Sequence, residues 1–146
     1  MNLTAYKIKI LLVDDHNIVR DGISALLQSE TRFEIVGEAE NGLVALELTE
    51  NLQPDLVIMD INMPVMNGIA ATKIISEKFP AVKVLVLTMT GEQEHIKSMI
   101  EAGARGYILK NSGQEELISA IDAILAGRNY FSNEVKDAIM QNMVRK

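Results

Sequence analysis

Five side chains in this sequence have the types needed to handle a phosphoryl group: the neighbouring carboxylates Asp14 and Asp15, the carboxylate Asp60, the hydroxyl of Thr88 and the ammonium of Lys110. Gathered at one place, three carboxylates repel, and at least one keeps its proton unless a cation is present. Magnesium is the natural cation, because it takes hard oxygen ligands and needs only one or two carboxylates beside phosphate oxygens. Zinc is disfavoured, since the chain has no cysteine and only His16 and His95 as imidazoles. An aspartate beside Mg²⁺ can attack phosphorus, while a lysine and a threonine hydroxyl spread and bind the transferring charge. Each residue also has an ordinary reading. Asp14 and Asp15 suit the start of a helix near Asn17, Thr88 suits a strand, and Lys110 suits a solvated strand end.

Whether these residues meet depends on the elements that carry them. Short β-branched runs recur at Ile8 to Val13, Phe33 to Ala39, Leu56 to Met59, Lys83 to Thr88 and Gly106 to Leu109. The cores of the first, third and fourth are continuously apolar, as expected of parallel strands buried on both faces. Between them the period becomes helical. Val19, Ile23, Leu26 and Leu27 form one stripe, Val44, Ala45, Leu48 and Leu52 a second before Pro54, and Ala71, Ile74, Ile75 and Phe79 a third before Pro80. A weaker stripe, Ile96, Met99 and Ile100, precedes Gly103, and Leu117, Ala120, Ile121 and Ile124 precede Gly127. Alternating strands and helices with short connections predict a parallel sheet covered on both sides. Ligands of such a sheet sit beyond the carboxyl ends of the strands. Asp14, Asp15, Asp60, Thr88 and Lys110 all stand at those ends.

The chain has 146 residues and a formal net charge of −6, from 14 Lys+Arg against 20 Asp+Glu. An acidic chain is a poor binder of nucleic acid by bulk charge. The absence of cysteine removes disulfides and thiol catalysis and suits a reducing cytoplasm. No apolar run exceeds four residues, so neither a membrane span nor a signal-peptide core is expected. After Gly127, Ser132 can cap a helix with Val135, Ala138, Ile139 and Met143 on one face, either docking on the domain or leading elsewhere. His16 reads as a helix-start residue facing solvent, and Asn41-Gly42 as a turn or C-cap signal.

The motifs Leu12-Val13-Asp14-Asp15-His16, Met59 to Gly68 (MDINMPVMNG), Val86-Leu87-Thr88 and Gly103 to Lys110 (GARGYILK) resemble the receiver domains of two-component response regulators. Val36 to Gly42 and Gly103 to Lys110 resemble the NarL/FixJ-type (LuxR-type) subfamily, whose members usually carry a C-terminal helix-turn-helix. The resemblance implies a flavodoxin-like (βα)5 α/β fold with strand order 2-1-3-4-5 plus a short C-terminal helix. It divides the chain into a receiver over 1–127 and a connection over 128–146 toward an absent effector. It makes Asp60 the phosphoacceptor, Asp14, Asp15 and Asp60 the Mg²⁺ ligands together with the backbone carbonyl of Asn62, and Thr88, Lys110 and Tyr107 the residues that bind the phosphoryl group and report it. Asn111 stands where many receivers have a proline. Asn62 and Thr90 match positions that tune dephosphorylation by water.

The implied function is a cytoplasmic switch that takes a phosphoryl group from a sensor histidine kinase, with homodimerisation on phosphorylation and DNA contacted only through the effector. Tyr107 would swing inward and Thr88 would move toward the phosphate. A stand-alone receiver acting by protein contact is the alternative. A Mg²⁺-dependent aspartyl-phosphate phosphatase fits less well, because the position two beyond the nucleophile is Asn62 rather than an acid. A flavodoxin-like cofactor domain is disfavoured by the acidic, glycine-free loop after the first strand.

Overall fold

A computed structural model describes residues 6–89, 93–110 and 113–144. The order is β1 (Ile8–Val13), α1 (Asn17–Gln28), β2 (Phe33–Ala39), α2 (Gly42–Leu52), β3 (Leu56–Met59), α3 (Gly68–Lys78), β4 (Lys83–Thr88), α4 (Gln93–Ala102), β5 (Gly106–Leu109), α5 (Gln114–Leu125), β6 (Tyr130–Phe131) and α6 (Asn133–Val144). All strands are parallel, in the order β2-β1-β3-β4-β5-β6. The five expected strands stand where the sequence placed them. Because successive strand residues point to opposite faces, Leu11, Val13, Val57, Met59, Val84 and Val86 pack beneath α2, α3 and α4. Ile10, Leu12, Leu56, Ile58 and Leu85 pack against α1 and α5. That two-sided burial is the reason those runs are uniformly apolar.

The sixth strand is an addition to the expected sheet. Tyr130 and Phe131 pair with Gly106 and Tyr107, and the Ser132 amide donates to the Tyr107 carbonyl at 3.1 Å. The segment after Gly127 therefore docks on the domain. Val135 is buried in the core on the α4 side, and Ala138 and Ile139 pack against that core. Ser132 does not cap by its side chain: its carbonyl accepts from Lys136, and its buried hydroxyl makes no hydrogen bond among the described residues. The Met143 side chain lies outside the described residues. Asn41 is an N-cap rather than a C-cap signal, since its Oδ1 accepts the Val44 amide at 2.9 Å and starts α2. Among the described residues no helix is long and apolar enough to cross a membrane.

Candidate functional site

The chain reverses its direction across the sheet between β1 and β3, so the loops leaving their carboxyl ends part and leave a crevice. Asp14, Asp60 and Lys110 are each tied to a neighbouring strand by one hydrogen bond beyond the regular ladder. The Asp14 amide donates to the Ala39 carbonyl (3.0 Å), that of Asp60 to Val13 (2.9 Å) and that of Lys110 to Thr88 (2.8 Å). Asp14, Asp60 and Thr88 are thereby held in the interior at the rim, at 2%, 6% and 2% exposure.

The loop after β3 is shaped by close backbone packing. The Gly68 amide donates to the Ile61 carbonyl at 2.8 Å, and a Cβ at Gly68 would lie 1.9 Å from the Asp60 carbonyl oxygen. Only glycine fits there. Val65 in the same loop has φ of +68° and is largely exposed; a β-branched residue in this left-handed region stores strain on the order of 1–3 kcal/mol.

The charges converge as expected, but with a preference the sequence did not reveal. Lys110 Nζ lies 2.6 Å from Asp14 Oδ2 and 3.5 Å from Asp60 Oδ2, so its closer partner is Asp14. Burial pushes the Asp14 carboxyl up, but the Lys110 ammonium, the His16 amide and the His16 ring outweigh it and hold Asp14 below the ordinary carboxylate range. Asp60 shifts the other way. Burial and the nearby Asp14 charge raise it, against the opposing pull of the Lys110 charge, the Ile61 amide and the Thr88 hydroxyl. The Ile61 amide donates to Asp60 Oδ1 at 2.8 Å, and Thr88 hydrogen-bonds the same carboxylate through its hydroxyl.

His16 is mostly in solvent, at 64% side-chain exposure, yet its Nδ1 lies 3.1 Å from both Asp14 Oδ1 and Asp15 Oδ1. Its hydrogen bond goes to Asp14, which leaves Asp15 Oδ1 buried without a hydrogen-bond donor. One ligand atom from each of Asp14, Asp15, His16 and Asp60 falls within a 4.8 Å cluster. An orphaned carboxylate oxygen among hard oxygen donors fits a divalent cation such as Mg²⁺.

Asn62 is exposed beside this cluster, and Tyr107 is fully buried in the core below it. Thr90 and Asn111 lie outside the described residues. Arg20 was missed by sequence reasoning: its guanidinium donates to the Asp14 backbone carbonyl, to Asn17 Oδ1 and to Glu38 Oε1. Beside Lys110, an apolar hollow of about 430 Å³ opens between α1 and α5, lined by Val19, Leu26, Met89 and Leu117 among others.

A family model described as the response regulator receiver domain matches residues 10–122. The chain belongs to that family. It is 37% identical over 95% of its length to the transcriptional regulatory protein DegU of Brevibacillus brevis, of which it covers 59%. It is 39% identical over 96% of its length to the transcriptional regulatory protein MctR of Rhizobium johnstonii, covering 65% of it. The chain therefore spans about three-fifths of these relatives' length. A two-component response regulator of the LuxR family from Aurantimonas superposes with a TM-score of 0.89 at 37% identity, covering 95% of this chain and 99% of that one. The fold is thus that of a receiver domain of the NarL/LuxR type, whose relatives regulate transcription.

Proposed function

We propose that Asp60 accepts a phosphoryl group from the phosphohistidine of a sensor kinase, and that this modification switches the protein's contacts. The observation that carries the reading is a single carboxylate, Asp60, buried between an acid pair, a lysine and a threonine hydroxyl at the crevice between β1 and β3. Asp14, Asp15, Asp60 and the backbone carbonyl of Asn62 would hold Mg²⁺, which supplies positive charge against the carboxylates and the transferring group. One oxygen of Asp60 attacks phosphorus, the P–N bond breaks, and the imidazole leaves with its electron pair and takes a proton from solvent. Before transfer, Lys110 and the Thr88 and Ile61 donors oppose the upward push that burial and the Asp14 charge give the Asp60 carboxyl. Afterward Lys110 can leave Asp14 for the phosphoryl oxygens, because its ammonium already lies between the two acids. The apolar hollow between α1 and α5 gives the kinase a surface beside Lys110. The chain itself hydrolyses only its own acyl phosphate, slowly.

The added charge and acceptor oxygens bias a two-state equilibrium through Thr88 and Tyr107. In the whole protein the output is control of transcription, as the names of the transcriptional regulatory proteins DegU and MctR suggest, with residues 1–127 as the receiver and 128–146 as the connection to a DNA-binding unit. Cytoplasmic location and dimerisation on phosphorylation follow from the same reading. Acetyl phosphate with Mg²⁺ is expected to add the mass of one phosphoryl group to the intact chain. No gain in mass with acetyl phosphate or with a phosphorylated kinase would count against the proposal.

A further inference from the structure

We propose that Arg20 is the positioning residue of the cation site, holding the peptide between Asp14 and Asp15 in the orientation that presents the Asp15 carboxylate. This rests on the phosphoacceptor reading for what the cation is for; its own ground is the geometry around the first turn of α1. The Arg20 side chain reaches three acceptors on three elements. One terminal nitrogen donates to the Asp14 backbone carbonyl at the end of β1, the other to Asn17 Oδ1 in α1, and Nε to Glu38 Oε1 in β2 at 2.7 Å. The Arg20 side chain is only 12% exposed while Glu38 is 42% exposed, so the guanidinium is embedded and its outer partner faces solvent.

The two acids differ in how they are held. Asp14 is fixed through its own carboxylate, which accepts the His16 amide at 2.9 Å and the Lys110 ammonium at 2.6 Å. Asp15 has no such hydrogen bond at Oδ1, which is buried with only the His16 ring nitrogen, 3.1 Å away, beside it. The place of that oxygen follows from the backbone, and the carbonyl that Arg20 grips belongs to the planar peptide unit that also contains the Asp15 nitrogen. Turning that plane swings the Asp15 side chain. Glu38 neutralises the guanidinium and ties it to β2, so the start of α1 and the ends of β1 and β2 are linked at one point. A lysine ammonium has three donors but all on one nitrogen, so it cannot span acceptors that the guanidinium reaches from three separate nitrogens, and lysine does not replace this fork.

The test is titration of the full chain with Mn²⁺, read by the electron paramagnetic resonance of the free ion, alongside metal-free melting. Arg20→Gln is expected to weaken Mn²⁺ binding about 10–100-fold, the usual effect of removing a partner that orients a metal ligand. Arg20→Lys is expected not to restore it, and Glu38→Gln to lose less in the same direction. If Arg20→Gln fails to fold, these two variants carry the test. Arg32→Gln, which removes a remote ion pair with Asp122 (3.0 Å), is expected to leave Mn²⁺ affinity unchanged. Affinity in Arg20→Lys within about twofold of wild type, or an equal loss in Arg32→Gln, would overturn the role given to Arg20. A wild-type chain that binds no Mn²⁺ would overturn the cation assignment as well, so the two failures are distinguishable.

Discussion

Asp55 and Asp60 flank the same four-residue strand, β3, and share a residue type but not a role. Asp55, at the amino end, is satisfied on the spot. Its carboxylate accepts the Lys9 amide at 2.8 Å and lies 2.5 and 2.7 Å from the Tyr6 hydroxyl, whose proton it holds more tightly than usual. Asp60, at the carboxyl end, is more deeply buried and faces other acids, and its carboxyl is pushed up rather than quieted. The backbones of both are equally well tied to neighbouring strands. The difference lies in what converges. In a parallel sheet every strand delivers its next loop to the carboxyl rim, so Asp14, Asp15, Thr88 and Lys110 arrive beside Asp60. Strain collects there too, at Val65.

The contrast breaks first at Lys110. Lys110→Gln is expected to slow phosphoryl uptake from acetyl phosphate about 100-fold or more, the scale for losing a donor aimed at developing charge; Lys9→Gln at the opposite rim is expected to leave the rate unchanged. Stopped-flow or quenched labelling checks both.

Melting against pH separates the two acids of the crevice. The folded chain binds the Asp60 proton more tightly than the unfolded chain, so this group costs stability as pH rises from the ordinary carboxylate range through its raised pKa, and the cost persists above it. Asp60→Asn is therefore expected to melt higher than wild type at neutral pH, with the gain disappearing on acidification. Asp14 has the opposite sign. Its stabilisation is present above the ordinary carboxylate range and is lost as pH falls through its lowered pKa, so Asp14→Asn is expected to melt lower than wild type at neutral pH. Parallel shifts in the two variants would contradict the assigned environments.

At the quiet end, Asp55→Asn removes acceptor capacity worth about 1 kcal/mol, a fall of about 3 °C in Tm for a domain of this size, with phosphorylation intact. Smallest of all, Val65→Gly is expected to relieve the positive φ and raise Tm by about 1–3 °C, measured by calorimetry.

Much of this was legible in the residues because the physics is local or periodic. Two-sided burial makes Ile10 to Val13, Leu56 to Met59 and Val84 to Leu87 uniformly apolar, and the rule that ligands sit at the carboxyl ends then singles out Asp14, Asp60, Thr88 and Lys110. Gly68 was visible as the end of the Met59 to Gly68 motif, but the 1.9 Å clearance that requires it was not. Two residues of β6 are too few to show a period, and they are held by Gly106 and Tyr107 rather than by their own propensity. Arg20 escaped because its three acceptors are separated along the chain and one is a backbone carbonyl, which no residue type announces. The preference of Lys110 for Asp14 over Asp60 is a matter of about 1 Å, decided by packing beyond any sequence pattern.

The most direct measurement locates the phosphoryl group. The chain is treated with acetyl phosphate and Mg²⁺, the acyl phosphate is reduced with borohydride to homoserine, and the peptides are sequenced by mass spectrometry. Homoserine at position 60, absent in Asp60→Asn and unaffected in Asp55→Asn, is the expected result. Label at Asp14, Asp15 or Asp55, or label that survives Asp60→Asn, would contradict it.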